Sequence, residues 1–301
     1  MYKISKENVF FEFNKKNKPI LEVNPGEDLI IETDDCFKSQ IKGENDLVTA
    51  IDFSKVNPAT GPIAVKGAMP GDILVVDIMD IIVDKKGFMV AIPEEGAFGH
   101  HISEPITRVI NIEDGFFIFS DDMKFPLNPM IGVIGVTPSG KPVPCGEIGN
   151  HGGNMDAKII QKGSKLYFKV QVEGALFGLG DAHAGMGDGE SVICGVEIPA
   201  VVTLKLDLIK KPDFLPERPI VETSDRVICI GHGKTMDEAS EVALEDMLKL
   251  ITNKTDLNKT DASMLISAVG DLKVCQIVDP QKTMRVEVPK SIFSKKGEYY
   301  L

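Results

Sequence analysis

Positive charge, long apolar runs and paired cysteines are all scarce in this 301-residue chain, and each scarcity narrows what it does. Thirty-three Lys and Arg stand against 45 Asp and Glu, a formal net charge of −12 with an isoelectric point near 5.0. That balance argues against a nucleic-acid or anionic-membrane partner and suits a small neutral or cationic substrate. The greasiest run, Ile73 to Val83, is interrupted by Asp77 and Asp80, and the opening MYKISKENVF has no apolar core of a secretory signal. A soluble, cytoplasmic protein without a membrane partner is expected. The five cysteines, Cys36, Cys145, Cys194, Cys229 and Cys275, are odd in number and include no C-x-x-C spacing. Neither a disulfide framework nor a cysteine-ligated zinc site is expected, and the thiols read as reduced and mostly buried.

A hydrophobic fraction of 43% over 301 residues is ample for one large domain or two closely packed ones. Through the first two hundred residues, short apolar runs (VFFEF, LIIET, ILVVDIMDIIV, FFIF, MIGVIGV) alternate with Gly, Pro and Asn punctuation. Few reach the length and 3.6-residue period of a helix, so this part reads as a β-rich body of sandwich or barrel type. A weak internal echo, NPGEDLIIE (24–32), MPGDILVVD (69–77) and QKGSKLYFK (161–169), places a glycine just before an apolar strand and marks turns. The proline-rich KKPDFLPERP (210–219) reads as a linker or extended crossing. Beyond it, Thr235 and Glu238 form a capping box ahead of an apolar stripe through Ala239, Val242, Ala243, Met247, Leu250 and Ile251. A second helical stretch, TDASMLISAVG, ends at Gly270, and VCQIV and MRVEV look like strands. The expected organisation is a β-rich body over 1–215 that carries the site and an α+β portion over 216–301 packed on it.

The stretch from Cys145 to Glu190 concentrates the chemistry, opening with CGEIGNHGGNMD and closing with GDAHAGMGDGE. Small residues stand beside groups that bind metals or move protons: His151, Asn154 and Asp156 in the first run, Asp181, His183, Asp188 and Glu190 in the second. Between them KLYFKVQVEGALFGLG reads as one or two strands. If Asp181 and His183 are extended, their spacing points both to one face, half of a metal site that His151 can complete. Imidazole and carboxylate suit zinc, with other divalent ions possible. Each feature also has a plainer reading. A histidine beside glycine is often a turn or packing residue, Asp188 and Glu190 in GDGE fit an acidic hairpin turn, and Asp34 and Asp35 fit a strand end. His100 and His101 read as loop residues and His232 as part of a helix-entry loop.

TDDCF, NPATGPIAVKGAMPGD, MIGVIGVTPSG, HGGNMDAK, GALFGLGDAHAGMGDGE and the Pro289-Lys290 ending, taken in order along nearly the whole chain, resemble the acetamidase/formamidase family. One departure is Met186, where the family often has Gln. The resemblance implies a β-rich body with an α+β C-terminal part, a metal-associated hydrolase releasing ammonia from small linear amides, and a homo-oligomer, expected as a dimer. It brings Asp35 of TDDCF into the site as a fourth metal contributor beside His151, Asp181 and His183, with zinc the favoured ion and calcium or another divalent ion as alternatives. A divalent cation lowers the pKa of bound water and polarises a carbonyl, and a carboxylate must then carry a proton to the leaving nitrogen. Glu190 is the expected shuttle, with Asp188 as substitute. Asn154 is expected to donate to the carbonyl oxygen, Gly152 and Gly153 to offer amides to it, Met186 to line the substrate site, and Asp156 to hold the outer nitrogen of His151. Two rivals stand beside this reading. In one, Cys36 or Cys145 acts with a carboxylate base as a nucleophile, although adjacent acids raise rather than lower a thiol pKa. In the other, the fold binds a metal or small ligand without catalysis.

Overall fold

A computed structural model describes residues 2–296. Its frame is a β-sandwich. A nine-stranded sheet runs in the order Tyr2–Ile4, Glu27–Thr33, Ala200–Ile209, Ile73–Val83, Lys165–Lys169, Ile220–Glu222, Arg226–Gly233, Lys282–Pro289, Asp271–Gln276. Opposite it lies a seven-stranded sheet whose centre is Gly152–Asn154, Met130–Gly135, Phe177–His183 and Ala59–Val65. Period-two alternation builds the space between them. Leu74, Val76 and Ile78 of one strand, Leu166 and Phe168 of the next, and Val202, Leu204 and Leu206 of a third point inward. They meet Ile63, Ile131, Ile134, Phe177 and Leu179 from the other sheet. Each such side chain fully withdrawn from water is worth roughly 1.5–3 kcal/mol, so this layer is the main stabilising mass.

The opposite face of the large sheet, with Ile73, Tyr167, Ile220, Val227 and Cys229, is covered by helix Met236–Lys254 through Ala243, Met247, Leu250 and Ile251. Thr235 caps that helix by accepting from the Glu238 amide at 3.2 Å. The Glu238 carboxylate reaches back to the Lys234 amide at 2.8 Å, one residue earlier than a standard capping box. The three echoed glycines, Gly26, Gly71 and Gly163, all have positive φ, and each leads into a strand of the nine-stranded sheet. The large sheet runs unbroken through the 210–219 crossing, because Lys165–Lys169 pairs with Ile220–Glu222. Strands KLYFK and FGLGDAH, adjacent in sequence, fall in different sheets. His232 lies inside strand Arg226–Gly233, not in a helix-entry loop, with Nδ1 2.7 Å from Gln281 Oε1. Among the described residues no helix is long and apolar enough to cross a membrane.

A third sheet, Lys86–Ala91, Ile106–Glu113, Phe116–Ser120 and Met123–Pro126, packs at one end of the sandwich. Glu197 bridges the two systems, pairing with Phe88 of this sheet and with His183 at the end of Phe177–His183. A cavity lined by both systems forms at that junction.

Candidate active site

Strand Phe177–His183 carries the first two groups. It runs antiparallel to Met130–Gly135, with His183 opposite Met130. Asp181 departs from extended geometry at φ 56, yet both side chains reach the same place: His183 Nε2 is 3.6 Å from Asp181 Oδ1. The same nitrogen is 2.7 Å from Glu197 Oε1 and 3.9 Å from Glu190 Oε1. Asp156 and Glu190 also adopt positive φ, 40 and 51. Three non-glycine residues of one cluster in the sparsely populated left-handed region is a concentration of backbone strain that marks functional sites. Beneath them Gly132 leaves room that no other residue can leave. A Cβ there would stand 2.4 Å from Asp156 Oδ1 and 2.6 Å from Asp181 Oδ2.

The cluster opens into a cavity of about 170 Å³. Asn154, Asp156, Asp181, His183, Glu190, Glu197 and Asp279 form its polar floor, and Phe37, Val48, Val90, Ile92 and Ile193 are among its apolar walls, with Cys36 and Cys194 at the boundary. Burial, then the neighbouring carboxylates, raises the pKa values of Asp156 and Asp181 well above the usual range. Glu190 is pushed up to about 8 by burial against the opposing pull of His183, with Glu197 and Asp279 adding to the rise. Asp35 and Asp279 are each raised to about 6, chiefly by burial. For His183, burial disfavours the charged ring, but Glu197 and Asp181 override it and push the imidazole up to about 10. One imidazole therefore faces five carboxylates, an excess of negative charge that a low-dielectric site tolerates only with protons or bound cations.

The donor set fits a divalent cation. Asp156, His183 and Glu190 place ligand atoms within 4.8 Å of one another, and so do Cys36, Asp181 and Glu197. Asp156 Oδ1, Glu197 Oε2 and Asn154 Oδ1 are buried without a hydrogen-bond partner. Such orphaned oxygens are costly unless something electropositive meets them.

Several residues expected in this site stand elsewhere. The Val136 amide binds the His151 carbonyl at 3.1 Å, whereas His183 sits opposite Met130 on the same strand. At 3.2–3.4 Å per residue their backbone pairing positions are about 20 Å apart along that strand, and His151 does not line the cavity that His183 enters. The His151 ring packs edge-on to Phe13, and burial, then His232, pushes it down to about 4. The neighbouring glycines make room for this ring: a Cβ at Gly149 would stand 2.8 Å from its Nδ1, and one at Gly153 3.1 Å from its Nε2. Asp156 accordingly does not orient His151 but belongs to the cluster itself. Gly152 and Gly153 lie in a strand paired on both sides, with Met130–Gly135 and Ile148–Gly149, and do not line the cavity. Asp35 serves the turn: its Oδ1 accepts from the Phe37 and Ser39 amides at 2.9 Å each, so TDDCF reaches the cavity through Cys36 instead. Asp188 is held by Arg285 and Lys158, and with Met186 it lines a neighbouring cleft under Phe117, Phe119 and Phe125. Asn154, which lines the cavity, donates its amide to Asp279 at 2.9 Å, and its Oδ1 is buried without a hydrogen-bond partner.

Glu197 and Asp279 escaped the sequence reading. Glu197 had a signal, an acid between the buried Val196 and Ile198. Asp279 had none, since it arrives from a turn between the last two strands. Among the described residues neither Cys36 nor Cys145 has a Lys, Arg or His as hydrogen-bond partner to activate it as a nucleophile. Burial, then Glu197 and Asp181, raises the Cys36 thiol well above its ordinary value, and burial does the same to Cys145.

A small cavity floored by coupled acids and one imidazole, at the end of a β-sandwich, defines an acid–base centre for a compact polar substrate. The Acetamidase/Formamidase family model matches residues 5–144 and 141–295, and the chain belongs to that family. It is similar in structure to an acetamidase from Bacillus halodurans, with 44% identity, a TM-score of 0.95, and coverage of 98% of this chain and 100% of that one. It is likewise similar to a predicted acetamidase/formamidase from the thermophile Thermoanaerobacter tengcongensis, at 41% identity, TM-score 0.95 and 98% of each chain. In sequence it is 28% identical over 290 residues to a formamidase from Methylophilus methylotrophus, covering 73% of this chain and 70% of that protein.

Proposed function

We propose that the cavity over Asp156, Asp181, His183, Glu190 and Glu197 is where this chain, by family an amidohydrolase of linear amides, cleaves the C–N bond of a small amide with the help of a divalent cation held by those side chains. The observation that carries the reading is the set of buried carboxylates around one imidazole, with orphaned oxygens turned inward. When bound, the cation supplies Lewis-acid polarisation of the carbonyl and a lowered pKa for coordinated water. The rest falls to the protein. Glu190, whose carboxyl burial pushes up to about 8 in the cation-free protein, is the acid that can carry a proton to the leaving nitrogen when it does not ligate the cation, since that nitrogen departs only as a protonated amine. Asn154 Oδ1, fixed because its amide group is bound to Asp279, is placed to accept an N–H of a primary amide. Val90, Ile92 and Ile193 leave only a short apolar wall, which suits an acyl group of a few carbons. One imidazole among several carboxylates accommodates zinc or a harder ion.

The test combines ammonia release from formamide, acetamide and longer amides with elemental analysis. Chelation should abolish turnover, added divalent cation should restore it, and Glu190→Gln should lower kcat about 10²–10⁴-fold with little change in KM. Full turnover by protein shown to be cation-free would sink the proposal.

A further inference from the structure

We infer that the cleft beside the acid cavity is the leaving-group half of the substrate site, taking the aromatic ring of an N-aryl amide whose acyl group sits in the cavity. This deepens the reading above and rests on it. The cleft encloses about 420 Å³ between the hairpin of Phe116–Ser120 with Met123–Pro126 and the loop that runs from Gly185 to Val196. A cavity of about 150 Å³ already holds benzene, so a single substituted ring has ample room. Glu190 and Cys194 line both the cleft and the acid cavity, and these two side chains form the partition between them. The partition is thin. Gly195 lines the cleft, and a Cβ on it would stand 3.1 Å from Cγ of His183, so bare backbone separates the cleft from that imidazole.

The place of Glu190 decides which half of an amide goes where. As the acid that serves the leaving nitrogen, it draws that nitrogen to the partition, and whatever the nitrogen bears extends past it into the cleft. The acyl carbon stays over Asp156, Asp181 and His183, and a secondary amide still keeps one N–H for Asn154 Oδ1. The lining suits an aryl group. The rings of Phe117 and Phe125, with centroids 5.5 Å apart and planes at 33°, make an aromatic wall, and Met186 adds a thioether beside it. Gly185 lets Phe117 lie against the loop, since a Cβ there would stand 2.7 Å from its Cε1. Asp188 and Glu190 are the ionisable acids of the lining, which among the described residues contains no Lys, Arg or His. A neutral arylamine can leave that way, and nothing in the lining would retain the carboxylate product. In the reaction the oxygen of water joins the acyl carbon and the C–N bond breaks with its electron pair kept by nitrogen. Nitrogen takes one proton to become the arylamine, and the acid formed gives its proton to solvent.

The experiment measures aniline release from formanilide and ammonia release from formamide by the full-length protein with divalent cation supplied. The kcat/KM for formanilide should exceed that for formamide about tenfold or more, the scale of withdrawing one ring from water. Because formanilide also has the better leaving group, two variants separate the cleft from intrinsic reactivity through the ratio of the two kcat/KM values. Phe125→Ala removes part of the wall at a residue 46% exposed, and Gly187→Phe fills the cleft from an exposed position where a Cβ meets nothing within 4 Å. Each should lower the formanilide-to-formamide ratio about fivefold or more. Formamide turnover with formanilide cleaved no better, a comparison that needs no variant to fold, overturns the leaving-group subsite and leaves the proposed function standing. A ratio unchanged in both variants also overturns it. Failure to cleave either amide overturns both readings.

Discussion

Arg285 is the side chain whose removal should show how the C-terminal strands hold the loop that carries Glu190. It is 1% exposed, and its guanidinium meets Asp188 through two bonds of 2.7 and 2.9 Å and Glu287 through one of 2.7 Å, with a further contact to the Val274 carbonyl. Nearby, the Gly189 amide binds the Cys275 carbonyl at 2.8 Å and the Ile277 amide binds the Gly189 carbonyl at 3.1 Å, so the residue before Glu190 is clamped to the neighbouring strand, Asp271–Gln276. Arg285→Met keeps the bulk and removes the charge. Deleting one partner of a fully buried pair costs about 3–5 kcal/mol. Here Asp188 keeps Lys158 at 3.0 Å, with its side chain 29% exposed, and Glu287 keeps Lys273 at 2.8 Å. The discounted loss is about 2–3 kcal/mol, or roughly 4–8 °C in Tm. Burial alone would raise the Asp188 carboxyl, and the Arg285 guanidinium holds it below the ordinary carboxylate range. That share of stability is present above the unfolded-state pKa and disappears as pH falls through the folded one, so the variant should lose less on acidification than the parent does. Urea denaturation of Arg285→Met, Asp188→Asn and the double variant should give a coupling of about 1–2 kcal/mol, and kcat should fall about 10–100-fold as Glu190 loses its placement. A coupling below about 0.5 kcal/mol with unchanged kcat would refute the clamp.

Three other outcomes follow from the geometry. Gly132→Ala drives a methyl group against Asp156 and Asp181 and should reduce bound cation and kcat together, read by elemental analysis and ammonia release, while a surface glycine such as Gly140 tolerates alanine. His151→Leu should leave cation content and kcat within about threefold of the parent, because the ring packs on Phe13 and does not line the cavity. Cation-free protein should lose stability as pH rises from about 5 to 9. Glu190 is raised to about 8 and His183 to about 10, so the native state retains protons that the unfolded chain releases. Glu190 alone is worth on the order of 3–5 kcal/mol across that window, and thermal melts should flatten when a divalent cation is added. A flat profile without cation would show that the acids are not packed as described.

Why some of this was legible in the sequence and some was not comes down to the cause each pattern has. The alternation in Ile73–Val83 and Lys165–Lys169 is visible because the two faces of those strands meet different layers, and both layers demand apolar side chains at fixed period. The continuity of the large sheet past the proline-rich crossing is invisible, since the pairing of Lys165–Lys169 with Ile220–Glu222 joins segments about 55 residues apart. In the site, Asp181 and His183 were readable because ionisable groups interrupt the buried strand FGLGDAH. Glu197 carries the same signal, an acid between the buried Val196 and Ile198. His151 drew attention through its glycines, but glycine permits close approach of any group, and here the group is the imidazole's own ring against the backbone. A carboxylate within an apolar alternation has no comparable second explanation. Burying it costs several kcal/mol unless protons, cations or donors meet it, so its counter-group must be sought nearby even when, as with Cys36 and Asp279, that neighbour comes from a distant part of the chain.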